Sequence, residues 1–136
     1  MGHDTAFLLA RANALSLTAV NAAVEPFGLK VRSYSVLGIA VAGLQPTQRE
    51  LSDFLHLDPS QIVLLIDELE KAGLATREPA ENDRRVNVVT ATDKGREVHR
   101  LARKAAQQAE RECFSALDAD DLTRLKTLLS ALSARD

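Results

Sequence analysis

Apolar residues recur three and four positions apart along most of the chain, a period that predicts helices. Leu8, Ala12, Leu15, Ala19 and Ala22 form one such stripe, on a first helix that Asp4 can cap and that Pro26 and Gly28 end after Glu25. Val36, Leu37, Ala40 and Val41 give a buried face to a second helix, which starts at Val31 or Ser33 and ends at Ala42, before Gly43. Thr47 and Glu50 stand at capping-box spacing and open a short helix carrying Leu51, Phe54 and Leu55. Asp58 and Pro59 suit the N-cap and first position of the next helix, on which Ile62, Leu65, Ile66 and Leu69 face inward. Gly73 stops that helix, and Leu74 can pack back against it.

The period then changes. Leu74 to Arg77 has an extended character, Pro79 to Asp83 is a cluster of turn formers, and Val86 to Thr90 is rich in β-branched residues. These segments predict a two-stranded hairpin with a long tip. Thr92 can cap a long helix from Asp93 to about Ser115, with Val98, Leu101, Ala102, Ala105 and Ala109 on one side. Asp118 caps a last helix whose Leu122, Leu125, Leu129 and Leu132 repeat as a narrow seam.

Composition narrows the classes. A chain of 136 residues, 46% hydrophobic and 26% charged, fits one globular domain and not a disordered polymer. One cysteine, Cys113, excludes an intrachain disulfide framework and a Cys-rich zinc site. Arg11, Asn13, Ser16, Thr18 and Asn21 interrupt the apolar first helix, so no membrane span is expected, and the expected location is the cytoplasm. The net charge of −2 alone argues against a nucleic-acid partner.

The order of elements argues the other way. Two helices separated by His56-Leu57 and followed by a hairpin make a winged helix-turn-helix, whose second helix can enter the DNA major groove while the hairpin reaches the flanking minor groove. With its core face fixed, the second helix shows Ser60, Leu64, Asp67 and Lys71 outward, with Gln61, Val63 and Glu68 at the margins. Ser60 and Gln61 can bond bases or phosphates, Gln can pair bidentately with adenine, and Leu64 can meet a thymine methyl. Leu64 is equally readable as one stray exposed leucine. Arg84 and Arg85 beside Asp83 suit the negative potential of a narrow minor groove, although most such clusters are only solvated charge.

The ordered set Thr47-Gln48-Arg49-Glu50-Leu51, Leu57-Asp58-Pro59-Ser60, Asp67-Glu68-Leu69-Glu70-Lys71-Ala72-Gly73-Leu74, Arg77, Asp83-Arg84-Arg85 and Thr90-Ala91-Thr92-Asp93-Lys94-Gly95 resembles the MarR family of bacterial transcription regulators. The resemblance implies a mainly α fold with a small β-hairpin wing, a dimeric winged helix-turn-helix with N- and C-terminal dimerisation helices. Residues 1–136 would form one domain, with 1–30 and 93–136 dimerising and 31–92 binding DNA. It also implies a homodimer that binds an inverted-repeat operator, acts as a repressor, and is released by a small, often aromatic, ligand. The recognition helix falls on Asp58–Ala72, and the wing Asp and Arg on Asp83 and Arg85. Expected DNA contacts are Arg32, Thr47, Gln48, Arg49, Ser60, Gln61, Val63, Leu64, Asp83, Arg84 and Arg85. Leu8, Leu15, Leu122, Leu125, Leu129 and Leu132 would join the protomers, and Arg11 or Tyr34 could hold an effector carboxylate. The family often carries Arg or Lys where this chain has Leu64 and Glu68, and usually Leu at Ala91. Acids outnumber bases from Asp58 to Ala91, which predicts modest DNA affinity with a shallow salt dependence.

No metal, cofactor or enzymatic motif is expected. His3, His56 and His99 lack helical metal spacing, and no nucleophile elbow or phosphate-cradling glycine loop is present. Cys113 is expected to be a buried, inert thiol. Phe7, Phe27, Tyr34, Phe54 and Phe114 are the aromatic residues available to wall a pocket. The alternative function is a dimeric winged-helix module that binds proteins and not DNA.

Overall fold

The computed structural model describes residues 2–134. Six α-helices and one hairpin follow in the order α1 (Thr5–Val24), α2 (Val31–Val41), α3 (Gln48–Leu55), α4 (Pro59–Lys71), β1 (Ala75–Pro79), β2 (Asn87–Ala91), α5 (Asp93–Cys113) and α6 (Ala119–Ser133), with a single 3-10 turn at Glu25–Phe27 after α1. Gly28 takes a left-handed φ of 74° there, so the chain reverses into α2. Asn21 Oδ1 accepts the Val31 N–H at 2.9 Å and ties the reversal to α1.

The core lies where α2, α4 and the hairpin meet. Val36, Leu37, Leu51, Ile62, Ile66, Leu69 and Val89 are nearly or wholly removed from solvent. Each such side chain contributes about 1.5–3 kcal/mol by leaving water. Ser33 is the one buried polar residue among those described, and its hydroxyl is satisfied by the Lys30 backbone in both directions.

Local signals act as their chemistry requires. Thr47 Oγ1 accepts the Glu50 N–H at 3.0 Å, and the Glu50 carboxylate accepts the Thr47 N–H at 3.1 Å. At the end of α4, the Leu74 N–H reaches the Leu69 carbonyl and the Gly73 N–H reaches that of Glu70, with Gly73 at φ 75°. That is the paired-bond Schellman stop. The strands pair antiparallel with Ala75 opposite Ala91 and Pro79 opposite Asn87. A further contact extends this sheet: Thr47 bridges Val88, and the Val89 N–H donates to the Pro46 carbonyl at 2.9 Å.

The start of α5 is stapled to the end of α4. Thr92 Oγ1 donates to the Gly73 carbonyl at 2.6 Å and accepts the Gly95 N–H at 2.9 Å. Lys94 Nζ donates to the free Ala72 carbonyl at 3.0 Å, placing a cation at the negative end of α4. Gly95 is required by this approach, because a Cβ there would lie 1.9 Å from the Leu74 carbonyl oxygen.

Several expectations need correction. Asp4 precedes α1 but makes no side-chain cap bond. Phe54, on the same short helix as the buried Leu51, is 71% exposed, since α3 buries only one face, against α4 and β2. Leu101 is also exposed, whereas Ala102 and Ala106 are buried. Cys113 is half-buried at the last position of α5, more accessible than expected. The polar interruptions do not break the first helix as an apolar segment. Thr5–Phe27 is long and apolar enough to cross a membrane by length and composition, with a mean hydropathy of 1.3 over its best window. That apolar character belongs to a face the single chain leaves open: Leu8 and Leu15 are exposed, although α1 packs along α5 on its other side. On α6, Leu122 and Leu125 are half-buried while Leu129 and Leu132 are exposed. The last residues of the expected dimerising segment 93–136, from Arg135 on, lie outside the described residues.

Candidate nucleic-acid interface

Outward-facing residues of α4 form a mixed apolar and polar strip. Ser60, Gln61, Val63 and Leu64 are all exposed, Leu64 at 61%. Leu64 therefore points away from the core, as the helical period requires. Gln61 is not free, however. Its Oε1 accepts the Asp58 N–H at 3.3 Å, closing the N-terminus of α4. Bidentate pairing with adenine needs that oxygen as an acceptor for the base, so the cap and the pairing compete. The Gln61 amide N–H₂ remains open as a donor.

Gln48 and Thr47, in the first turn and at the cap of α3, are likewise partly engaged. Gln48 Oε1 accepts from Arg77 Nε at 3.0 Å, and the Thr47 hydroxyl serves the cap. Arg49 beside them is exposed, as is Arg32 in the first turn of α2.

Arg77 is the residue whose role sequence reasoning missed. It sits on β1, and its guanidinium joins four groups: Gln48 on α3, Asp67 at 2.8 Å, the Glu70 carboxylate, and the Val63 carbonyl at 3.3 Å. Two of the α4 acids that counted against DNA are therefore held by a cation from the wing strand. The net charge of the cluster stays at −1, with both carboxylates paired to one guanidinium while remaining partly exposed. A sequence signal existed, because Arg77 belonged to the recognised motif, yet nothing local showed its partners.

At the wing tip, Asp83 organises Arg85. Arg85 Nε and its backbone N–H both donate to Asp83 Oδ1 at 3.1 Å. The Arg85 side chain nonetheless remains 91% exposed, so its outer edge is presented to solvent. The Arg85 guanidinium, and after it the Arg85 backbone N–H, hold the Asp83 carboxyl below its usual range. Arg84 is exposed beside it. The tip turn is closed by the Val86 N–H to Asp83 carbonyl bond and by Ala80 donating to Val86.

Arg11 and Tyr34, the two residues expected to hold an effector carboxylate, lie on α1 and α2. Arg11 is exposed on α1 and makes no ion pair among the described residues. Tyr34 stacks on His99 of α5 with ring centroids 5.2 Å apart at 19°.

Comparison with known proteins agrees with this geometry. The family model described as "MarR family" matches residues 27–86. A MarR-family transcriptional regulator from Rhodococcus sp. RHA1 is 36% identical, with a TM-score of 0.93 over 98% of this chain and 95% of that one. CouR from Rhodococcus jostii RHA1, solved bound to p-coumaroyl-CoA, is also 36% identical, with a TM-score of 0.88 over 99% of this chain and 95% of that one. A mutant MarR from E. coli complexed with operator DNA has a TM-score of 0.78 over 93% of this chain and 91% of its own, and at 23% identity it speaks for the fold alone. No curated protein matches the chain in sequence. With the winged helix-turn-helix in place and two relatives alike over nearly their whole length, the chain belongs to the MarR family of transcriptional regulators.

Proposed function

We propose that this regulator is a homodimeric, sequence-specific DNA-binding repressor that a small effector releases from an inverted-repeat operator. The observation that carries the DNA reading is the pairing of an outward-facing α4 strip with an Arg85 guanidinium held at the wing tip by Asp83. In this reading, Ser60, Gln61, Val63 and Leu64 meet the major groove and Arg84 and Arg85 the minor groove. Arg32, Thr47, Gln48 and Arg49 contact the backbone. The protein acts on DNA in the cytoplasm and is not an enzyme.

The overall negative charge does not oppose this function. Phosphates respond to charge within a Debye length, about 8–10 Å, and the wing tip carries its arginines away from the acidic body.

Dimerisation would cover the exposed leucines of α1 and α6. No α6 residue is buried, and a lone amphipathic helix of 15 residues is marginal in water. A second protomer supplies the missing packing partner for Leu8, Leu15, Leu129 and Leu132.

For the effector, the 36% identity to CouR, a protein solved with p-coumaroyl-CoA, favours a coenzyme A thioester of an aromatic acid. The exposed acids on α4 favour the alternative, a winged-helix interaction module without DNA.

Electrophoretic mobility shift against DNA upstream of its own gene separates the two. Retardation at submicromolar protein, on an inverted repeat with half-sites about 10–10.5 bp apart, supports the repressor. No retardation at micromolar protein in low salt leaves the interaction module.

A further inference from the structure

We infer that Glu68 is a base-reading residue of α4, its carboxylate accepting the N4 amine of one cytosine in each half-site, close to the base pair that Leu64 meets. This inference rests on the DNA-binding reading above and says which sequence that helix selects.

Arg77 decides which acids of α4 stay open. Its guanidinium holds Asp67 and Glu70 and reaches the Val63 carbonyl, so the margin of α4 that carries these three residues is tied to the wing strand. A helix turns about 100° per residue, which sets Gln61, Leu64 and Glu68 along the other side of the outward face. All three are exposed. Among the described residues, the Glu68 carboxylate makes no ion pair and no hydrogen bond. Lys94, the cation at this end of the helix, is bonded to the Ala72 carbonyl instead.

Helix stability does not ask for an acid at this place. Glu68 lies in the last turn of α4, at the negative end of the helix dipole, where a carboxylate is unfavourable.

Leu64 shows what this side of the helix faces. It is exposed in the middle of α4, and an apolar side chain has nothing to offer a phosphate. It suits the thymine methyl in the major groove. Glu68 follows one turn later, about 6 Å along the axis, which is about two base-pair rises. With α4 laid along the groove, both side chains reach base edges.

The chemistry of the carboxylate then fixes the base. When ionised, it only accepts hydrogen bonds. In the major groove, guanine shows two acceptors, thymine an acceptor and a methyl, and adenine a donor beside the N7 acceptor. Cytosine shows its N4 amine with no acceptor next to it on its own edge. Cytosine therefore matches Glu68, and the other three bases oppose it wholly or in part. The same charge weakens binding that rests on phosphates alone, which sharpens the choice.

The test uses the full chain, as wild type and as Glu68→Gln, to select binding sites from random-sequence duplexes at low salt. Glutamine keeps the shape and helix preference of glutamate, and its amide pairs bidentately with adenine. An equal or higher Tm checks the fold of the variant. The wild type should select cytosine at one position of each half-site, and the variant adenine at that same position, with the rest of the site unchanged. Leu64→Ala should relax the choice of thymine within about two base pairs of it. In mobility shifts, exchanging that cytosine for adenine should weaken the wild type about tenfold and strengthen the variant. A wild-type site with no cytosine preference in this stretch overturns the inference without any variant. A gain of affinity by Glu68→Gln that is uniform over all sequences also overturns it, because Glu68 then only repels phosphate. An unchanged site and affinity overturn it as well, since Glu68 is then a solvated acid. In these three cases the repressor reading stands. If the wild type selects no sequence and retards no duplex at micromolar protein, both fall.

Discussion

Arg77 Nε on the wing strand donates to Gln48 Oε1 on α3 across 3.0 Å, while the same guanidinium grips Asp67, Glu70 and the Val63 carbonyl on α4. One side chain thus fixes the spacing of both helices of the helix-turn-helix and the root of the wing. A planar fork of donors is needed to reach acceptors in several directions, and a point charge cannot do it. Arg77→Ala should lower unfolding free energy by about 1.5–3 kcal/mol, the range for hydrogen bonds to charged groups. Arg77→Lys should recover less than half of that loss. Urea denaturation of the two variants checks the stability claim. Both should also bind operator more weakly, although Arg77 itself is turned inward.

Gln61 carries two duties that a single substitution can separate. Its Oε1 caps α4 through the Asp58 N–H, and its amide N–H₂ makes no bond among the described residues. Gln61→Glu keeps an acceptor at the third helical position, where Glu suits both the capping box and the helix dipole. The variant should therefore be as stable as the wild type, within about 0.5 kcal/mol. It loses the outward donor and adds a negative charge facing phosphate, so operator affinity should fall at least tenfold. Full operator affinity in Gln61→Glu would remove Gln61 from the interface.

Wing contacts predict a distinct salt signature. Arg85→Ala should weaken operator binding by about 1–3 kcal/mol and flatten the salt dependence by about one unit of slope. Asp83→Ala leaves the cation but removes its orienting partner, so affinity should fall less and the slope should stay. Mobility shifts at three salt concentrations give both quantities. An Asp83→Ala loss equal to that of Arg85→Ala would mean that Asp83 holds the wing itself and not only its arginine.

Gly95 tests the joint between α4 and α5. A methyl group there meets the Leu74 carbonyl oxygen at 1.9 Å, and backbone cannot step aside as a flexible side chain does. Gly95→Ala should destabilise by at least the 1–3 kcal/mol typical of overpacking, about the upper end or beyond. Gly28→Ala is the contrast. No neighbour lies within 4 Å of a Cβ at Gly28, and only its φ of +74° resists substitution, at about 1–2 kcal/mol. Thermal denaturation should rank Gly95→Ala below Gly28→Ala.

These residues also show what a linear sequence reveals. Thr47 with Glu50, Gly73 with Leu74, and Thr92 with Gly95 are legible because each motif closes within a few positions and depends on local residue types: a hydroxyl cap, or a glycine free to take a left-handed φ. The docking of the last two motifs on one another is not legible, because Thr92 meets the Gly73 carbonyl nineteen positions away. Arg77 is hidden for the same reason, with Gln48 twenty-nine positions back. The Thr47–Val88 bridge escapes because a strand of one residue shows no alternation. The exposure of Phe54 is not legible from its apolar character, because a helix of eight residues has only one face to bury. For the interface, period and capping fix which side of α4 faces out, but whether a polar side chain there is already engaged depends on the folded chain.

His99 supplies a pH-dependent prediction. Burial, and after it the Arg103 charge, hold the imidazole below its ordinary range, and the groups facing it are the neutral Tyr34 on α2 and the cations Arg96, Arg100, Arg103 and Lys104 on α5. In the unfolded chain, His99 takes its proton near pH 6.5. Above that pH both states are neutral, and His99 adds no pH dependence. As pH falls below about 6.5, the unfolded chain binds a proton that the folded chain does not yet accept, so stability drops until the folded pKa is passed. The Tm should therefore fall between pH 7.5 and 5.5, and His99→Gln, which cannot titrate, should fall less. Subtracting the variant removes the contribution of carboxylates common to both proteins. An NMR titration placing the His99 midpoint at or above 6.5 would overturn this account.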